Sequence, residues 1–103
     1  MLVEDVFSSK QRMKILKLIF QLGNLNVSDI SRRTSSNFGA TNKHLLILED
    51  EGILQVRTYG RIRMYRFNES SPKAKAVQTL LETWEQMERK KTNDGEKDKN
   101  VNG

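Results

Sequence analysis

Apolar residues recur along this chain at two different periods, and the elements change where the period changes. Leu2, Val3, Val6 and Phe7 stand at near-helical spacing, which predicts a short first helix or an arm that packs on something else. In "KQRMKILKLIFQL" the residues Ile15, Leu18, Ile19 and Leu22 form one stripe while Arg12, Lys14 and Lys17 stay wet, so a second helix is expected, capped by Ser8 or Ser9. Gly23 stops it, since glycine takes the left-handed position after a helix without steric cost. Residues 24–26 connect, with Leu25 as a brief strand. Asn26 then caps a short third helix that carries Asp29 near its positive end and turns Ile30 to the core.

After Thr34 the polar run "SSN" breaks the pattern, and Asn37 is the best cap for a fourth helix that reaches about residue 51 before Gly52 ends it. Thr41, Leu45 and Leu48 share its inward face. The next stretch, "ILQVRTYGRIRMYRF", alternates instead, with Tyr59 and Gly60 at its middle, as a β-hairpin does. Arg63, Tyr65 and Phe67 fall on one face and Ile62, Met64 and Arg66 on the other. Alternation alone leaves the buried side open, and Tyr65 and Phe67 are assigned to the core. Ser71 followed by Pro72 starts a last helix, expected to run to about Lys91 with Val77, Leu80, Leu81, Trp84 and Met87 on one stripe. So long an amphipathic helix in so small a domain most often meets a second copy of itself, which predicts a homodimer with Val3, Phe7, Val77, Leu80, Leu81, Trp84 and Met87 at the interface. Residues 1–91 read as one domain. "TNDGEKDKNVNG" is polar, lacks aromatics and has no period, so residues 92–103 are expected to be a disordered tail.

Composition narrows the function. The chain has 103 residues, 36% of them hydrophobic, enough for a single core, and no cysteine, which removes disulfides, thiolate metal sites and thiol nucleophiles. Its 18 Lys and Arg against 13 Asp and Glu give a net charge of +5, which attracts polyanions. Four arginines, Arg57, Arg61, Arg63 and Arg66, stand between Gly52 and Asn68 with no acid among them. No apolar run approaches the roughly 20 residues of a membrane span, and "MLVEDVF" is too short and too acidic for a signal peptide, so a cytoplasmic location and no membrane partner are expected. His44 is the sole histidine, so no metal or other cofactor is expected. No phosphate loop, paired buried carboxylates or Ser-His-Asp set can be assembled, and "EDE" at 49–51 reads as a solvated helix end, so the chain is not expected to be an enzyme.

The order helix, helix, turn, helix, β-hairpin is that of the winged helix-turn-helix. The blocks "SSKQRMKILKLI", "DISRRTSSNFGATNKHLLILEDEGIL" and "VRTYGRIRMYRFN" resemble, in order and spacing, those of ArsR-type and MarR-type winged-helix transcription regulators, over about residues 7–69. The most specific element is "NKHLLILEDEGIL", where a helix with inward leucines steps into the wing. The resemblance implies a mainly α fold with a small β-hairpin and a long C-terminal dimerisation helix, in a small prokaryotic, bacterial or archaeal, DNA-binding protein. With one histidine and no cysteine, the likeness to metal sensors stops at the fold. Regulators of the MarR type bind small molecules near the dimer helices, where Trp84 and Met87 would lie. A Trp on an apolar helical stripe is more often core or interface, so a small-molecule effector is left without support.

The polar start of the fourth helix suits the major groove, which admits a helix only where its first turn and one face are small or polar. Gly39 and Ala40 permit close approach, Asn42 can pair with adenine edges, and Lys43 can reach guanine acceptors or a phosphate. Two roles are open to Phe38, contact with a thymine methyl or packing on the preceding helix. Ser35, Ser36 and Asn37 are a turn and a cap first, with one phosphate contact among them at most. In the wing, Tyr59, Gly60 and Arg61 form the tip. Arg61 is the choice for minor-groove insertion, with Arg57 and Arg63 on phosphates, although a solvated strand face would also carry arginines. Arg32 and Arg33 either touch phosphates or pair with Asp29. The resulting expectation is sequence-specific binding of double-stranded DNA by a homodimer that regulates transcription, more simply by occupying a promoter as a repressor. Two other uses fit the same pattern, a chromosomal architectural protein with little sequence preference and a winged helix that serves protein assembly.

Overall fold

In the computed structural model the backbone of residues 1–102 and the side chains of residues 1–91 are described. The elements are α1 (Val3–Phe7), α2 (Lys10–Leu22), β1 (Leu25–Asn26), α3 (Val27–Arg33), α4 (Phe38–Asp50), β2 (Leu54–Tyr59), β3 (Ile62–Phe67) and α5 (Pro72–Asn102). Small polar caps set the starts of four helices. Ser9 accepts from the Arg12 N–H at 3.1 Å, Asn26 from Asp29 at 2.8 Å, Asn37 from Ala40 at 2.8 Å and Ser71 from Ala74 at 3.3 Å. Each satisfies a backbone donor that the helix itself leaves unpaired, worth about 1 kcal/mol.

The sheet has three antiparallel strands in the order β1-β3-β2. Its register pairs Leu25 and Val56 with Tyr65, and Leu54 with Phe67. At the far end Tyr59 pairs with Ile62 across a two-residue turn, Gly60 and Arg61. Gly60 has φ +60° and Arg61 does not share that sign, the pattern of a type II′ turn, whose twist matches that of the strands.

Tyr65 is fully buried, and Ile15, Leu16, Ile19, Ile30, Leu45, Leu48 and Leu54 close around the same core. Tyr65 and Phe67 therefore occupy the inner face of the wing, as their side of the alternation was expected to do. Two expectations are corrected. Leu22 is 50% exposed, at the end of α2 where Gly23 stops the helix. Val77 and Leu81, expected at a dimer interface, are buried in the core of their own chain with Ala74. These residues lie three and four apart on the face of α5 that packs on α2, where Gln21 Nε2 donates to Glu85 Oε1 at 3.0 Å. Leu80, Trp84 and Met87 belong to a neighbouring face that stays exposed. The apolar stripe of α5 is thus two stripes, one inward and one outward.

The bounds of α5 are Pro72–Asn102, and the expected end near Lys91 falls where the described side chains stop. The side chains of the stretch expected to be a disordered tail lie outside the described residues. The assembly of α3, turn, α4 and the β2-β3 hairpin is a winged helix-turn-helix, with α4 and the wing on one side and α1 and α5 on another.

Candidate nucleic-acid interface

The turn before α4 is tight. Ser36 donates its N–H to Ser31 O at 3.0 Å, and Ser35 takes φ +54° to let the chain reverse. Helix α4 then divides its residues among three faces by its own period. Thr41, Leu45 and Leu48 are buried against the core. Gly39, Lys43, Leu46 and Asp50, spaced by three and four, are exposed on the opposite side. Phe38, Asn42 and Glu49 fall between and turn toward the wing.

In the wing, residues paired directly across the strands share a face. The register places Thr58 with Arg63 and Val56 with Tyr65 on the inner face, and Arg57 with Met64 and Tyr59 with Ile62 on the outer one. Arg57 and Arg63, grouped together as phosphate contacts from the sequence, therefore point to opposite sides of the hairpin. Arg63 is half-buried and turned toward α4. Its Nη1 donates to Asn42 Oδ1 at 2.6 Å, its Nη2 donates to the Tyr65 hydroxyl, and that hydroxyl donates to Glu49 Oε1 at 3.3 Å. The guanidinium carbon lies 5.3 Å from the centre of the Tyr65 ring. Burial raises the Tyr65 phenol above its ordinary pKa, against the pull of Arg63, so the hydroxyl keeps the proton it donates. One arginine thus ties the wing to the first turns of α4 and, through Tyr65, to its last.

Phe38 sits beside this tie, 55% exposed, in a shallow concavity it shares with Asn26, Val27, Ser28, Arg61 and Ile62. It neither buries itself on α3 nor stands clear of the wing. Arg57, Tyr59, Gly60 and Arg61 are exposed at the tip, and among the described residues no ion pair engages Arg57 or Arg61. Ser36 and Ala40 are half-buried, while Asn37 is exposed but committed to its cap. Arg32 pairs with Asp29 at 2.7 Å, and Arg33 instead faces Lys14, Lys17 and Ser35 around a second concavity. The sequence reading passed over two features here. Leu46, three residues beyond Lys43, is 47% exposed on the outward face, and the Lys14, Lys17 and Arg33 cluster joins residues from two helices. The first was legible from helical spacing, the second from no local signal.

His44 is half-buried on α4, and its ring meets α2. Its Nδ1 lies 3.2 Å from Arg12 Nη1, and Arg12 also donates to Val6 O at 3.0 Å and Asp5 O at 2.6 Å. Because a guanidinium only donates, Nδ1 is the acceptor and the ring proton sits on Nε2. Burial first, and Arg12 second, lower the His44 pKa from 6.5. Among the described residues no group of His, Asp and Glu could hold a metal ion, and no helix is long and apolar enough to cross a membrane.

On the other side, Val3, Leu80, Trp84 and Met87 are exposed by 66, 46, 64 and 58%. Phe7 is half-buried in a groove between α1 and α5 that Val3, Val6, Ile53, Val77 and Leu80 also line.

Residues 9–56 match the model of a family described as bacterial regulatory proteins of the arsR family. Of the two resemblances in the sequence, the match is to the ArsR one. The fold is similar to that of reduced HlyU from Vibrio cholerae, at TM-score 0.66 and 24% identity over 78% of this chain and 81% of that one. It is also similar to the homodimeric winged helix-turn-helix DNA-binding domain of a possible ArsR-family regulator from Mycobacterium bovis, at 0.66 and 23% over 82% and 75%. The antimony-specific transcriptional repressor AntR gives 0.71 and 22% over 86% and 76%. No curated protein matches by sequence. At these identities the likeness to solved structures concerns the fold.

Proposed function

We propose that this chain is a transcription regulator of the arsR type that binds double-stranded DNA as a homodimer. The observation that carries the reading is the hydrogen bond between Arg63 and Asn42, which holds the wing beside the start of α4 on one outward surface. A duplex laid on that surface meets the exposed face of α4, Gly39, Lys43 and Leu46, in its major groove. The wing tip then falls on the neighbouring minor groove and backbone, with Arg61 in the groove and Arg57 on phosphate. Ser36 and the α4 start position the backbone, Ala40 leaves room, Asn42 reads a base, Phe38 borders the wing side, and Tyr59 and Gly60 shape the tip. Arg32, held by Asp29, is a secondary contact.

Dimerisation is assigned to the exposed Val3, Leu80, Trp84 and Met87 with Phe7, since these side chains adjoin one another across α1 and α5 and a contiguous exposed apolar patch marks an interaction surface. The homodimeric M. bovis domain, built on the same fold, supports that assignment. Two α4 helices would then enter successive major grooves about 34 Å apart and favour a palindromic site. Repression by occupying a promoter is the proposed mode, and AntR and the fold-related repressor PagR of Bacillus anthracis are consistent with it. No effector is assigned.

Selection of bound duplexes from a random pool at two salt concentrations tests the reading. A two-fold symmetric motif at both salts is the expected result. Binding without a motif, falling steeply with salt, would replace a regulator with an architectural protein, and no binding at low salt would leave a winged helix for protein assembly.

A further inference from the structure

The first helix of a helix-turn-helix crosses a phosphate backbone while the second lies in the groove. That first helix is α3, and a concavity holding cations opens at each of its ends. Ser28, near its start, shares one with Phe38 and Arg61 on the wing side. Arg33, in its last turn, shares the other with Thr34 and Ser35 of the turn and with Lys14 and Lys17 of α2. Lys14, Lys17 and Arg33 are all exposed, no acidic residue lines their concavity, and among the described residues no ion pair engages any of the three. Arg32, beside Arg33 in the chain, is spent on Asp29. Helix α2 contains no acid, and the row Lys14, Lys17, Gln21 meets one only at its far end, where Gln21 donates to Glu85. The positive charge is thus uncompensated beside Ser35, just before the Asn37 cap of α4.

Exposed cations hold a free anion poorly, because each contact in high dielectric adds little and the anion gives up its freedom to make it. A phosphate on a chain that is already anchored nearby gives up far less. The cluster therefore suits an extended polyanion held by neighbouring elements, and α4 with the wing supplies that anchor.

We infer that Lys14, Lys17 and Arg33 form a second backbone-phosphate site, at the end of α3 away from the wing, for the same duplex whose groove receives α4. The inference rests on the proposed DNA-binding role and deepens it. The site reads no base and adds affinity to every sequence alike.

Two charge-matched variants of the full chain test it. One combines Lys14→Gln, Lys17→Gln and Arg33→Gln, and the other combines Lys75→Gln, Lys90→Gln and Lys91→Gln on α5. All six side chains are exposed, so both variants should keep the helical circular dichroism of the parent. Binding to the selected motif and to an unrelated duplex is then measured across salt. In the cluster variant the slope of log K against log salt should become shallower by about three per protomer, roughly one for each cation, on both duplexes and with the selected motif unchanged. In the α5 variant it should move by less than about one. Neutral methylphosphonates placed singly along the duplex locate the contact. The unaltered protein should lose affinity at phosphates whose neutralisation makes no difference to the cluster variant.

An unchanged slope in the cluster variant, an equal change in both variants, or the same methylphosphonate profile for parent and cluster variant would each overturn the inference while leaving DNA binding intact. Absence of any duplex binding by the unaltered protein would instead overturn the proposed function, and the inference with it.

Discussion

Arg12 Nη1 stands 3.2 Å from His44 Nδ1, so a residue of α2 that also holds the last carbonyls of α1 touches the helix assigned to the major groove. A histidine kept neutral beside a cation is the result, and it makes folding sensitive to pH.

Burial and Arg12 place the folded pKa of His44 below the value of 6.5 that it has when unfolded. The unfolded chain therefore binds this proton first as pH falls. The contribution is complete above 6.5, is lost as pH drops from there toward the folded pKa, and is constant below it. Urea unfolding at pH 7.5 and 5.5 should show lower stability at the acid value, and His44→Gln should narrow the gap. An equal gap in the variant would mean that another group carries the dependence.

Thr41 is fully buried, and its hydroxyl is without a hydrogen-bond partner among the described residues. A buried hydroxyl left unpaired costs about 1 to 3 kcal/mol, and valine has the same shape without that cost. Thr41→Val should raise the free energy of unfolding by about 1 kcal/mol. Lower stability would show that the hydroxyl finds a partner in solution.

Ser35 reverses the chain before α4 with φ +54°, a left-handed conformation that costs an L-residue about 1 to 2 kcal/mol. Ser35→Gly removes that cost but adds freedom to the unfolded chain, so a net gain of up to about 1 kcal/mol is expected. Ser35→Val should lose more than about 1 kcal/mol, since a β-branched side chain tolerates the region least. The two Tm values, moving in opposite directions from the parent, check it.

The two stripes of α5 should separate by experiment. Leu81→Ala, within the core, should lower unfolding free energy by about 2 to 5 kcal/mol. Trp84→Glu, on the exposed stripe, should leave the circular dichroism of the helices intact and convert a dimer to a monomer in sedimentation. A Trp84→Glu protein that stays dimeric would place the interface elsewhere.

At the wing tip, Arg61→Ala should weaken binding to all duplexes and reduce the slope of log K against log salt by roughly one. An unchanged slope would take Arg61 off the phosphates and out of the groove.

Local chemistry made much of this legible in the residues themselves. Asn26 and Asn37 are caps because a short side-chain oxygen reaches the third N–H of a helix from that one position, whatever else the chain does. Gly52 ends α4 with φ +76°, and the alternation from Leu54 to Phe67 makes a hairpin with its turn at Gly60, both read from intervals of a few residues. Periodicity likewise placed Thr41, Leu45 and Leu48 inward.

Contacts between distant residues were decided only when the elements docked. Alternation gives a strand two faces, but it says nothing of which arginine the neighbouring helix will meet. Arg63 meets Asn42, 21 residues away in sequence, while Arg57 and Arg61 stay exposed. A helical stripe wide enough for Leu80, Leu81 and Trp84 can serve one partner or two, and the packing of α5 on α2 divided it. Arg12 and His44, 32 residues apart, carry no local signal of their meeting. Sequence by itself determined the elements, because caps, turns and periods act within a few residues. Which side chains those elements spend on one another, and which they leave for a partner, was set by tertiary packing, because it depends on where surfaces far apart in the chain come to rest.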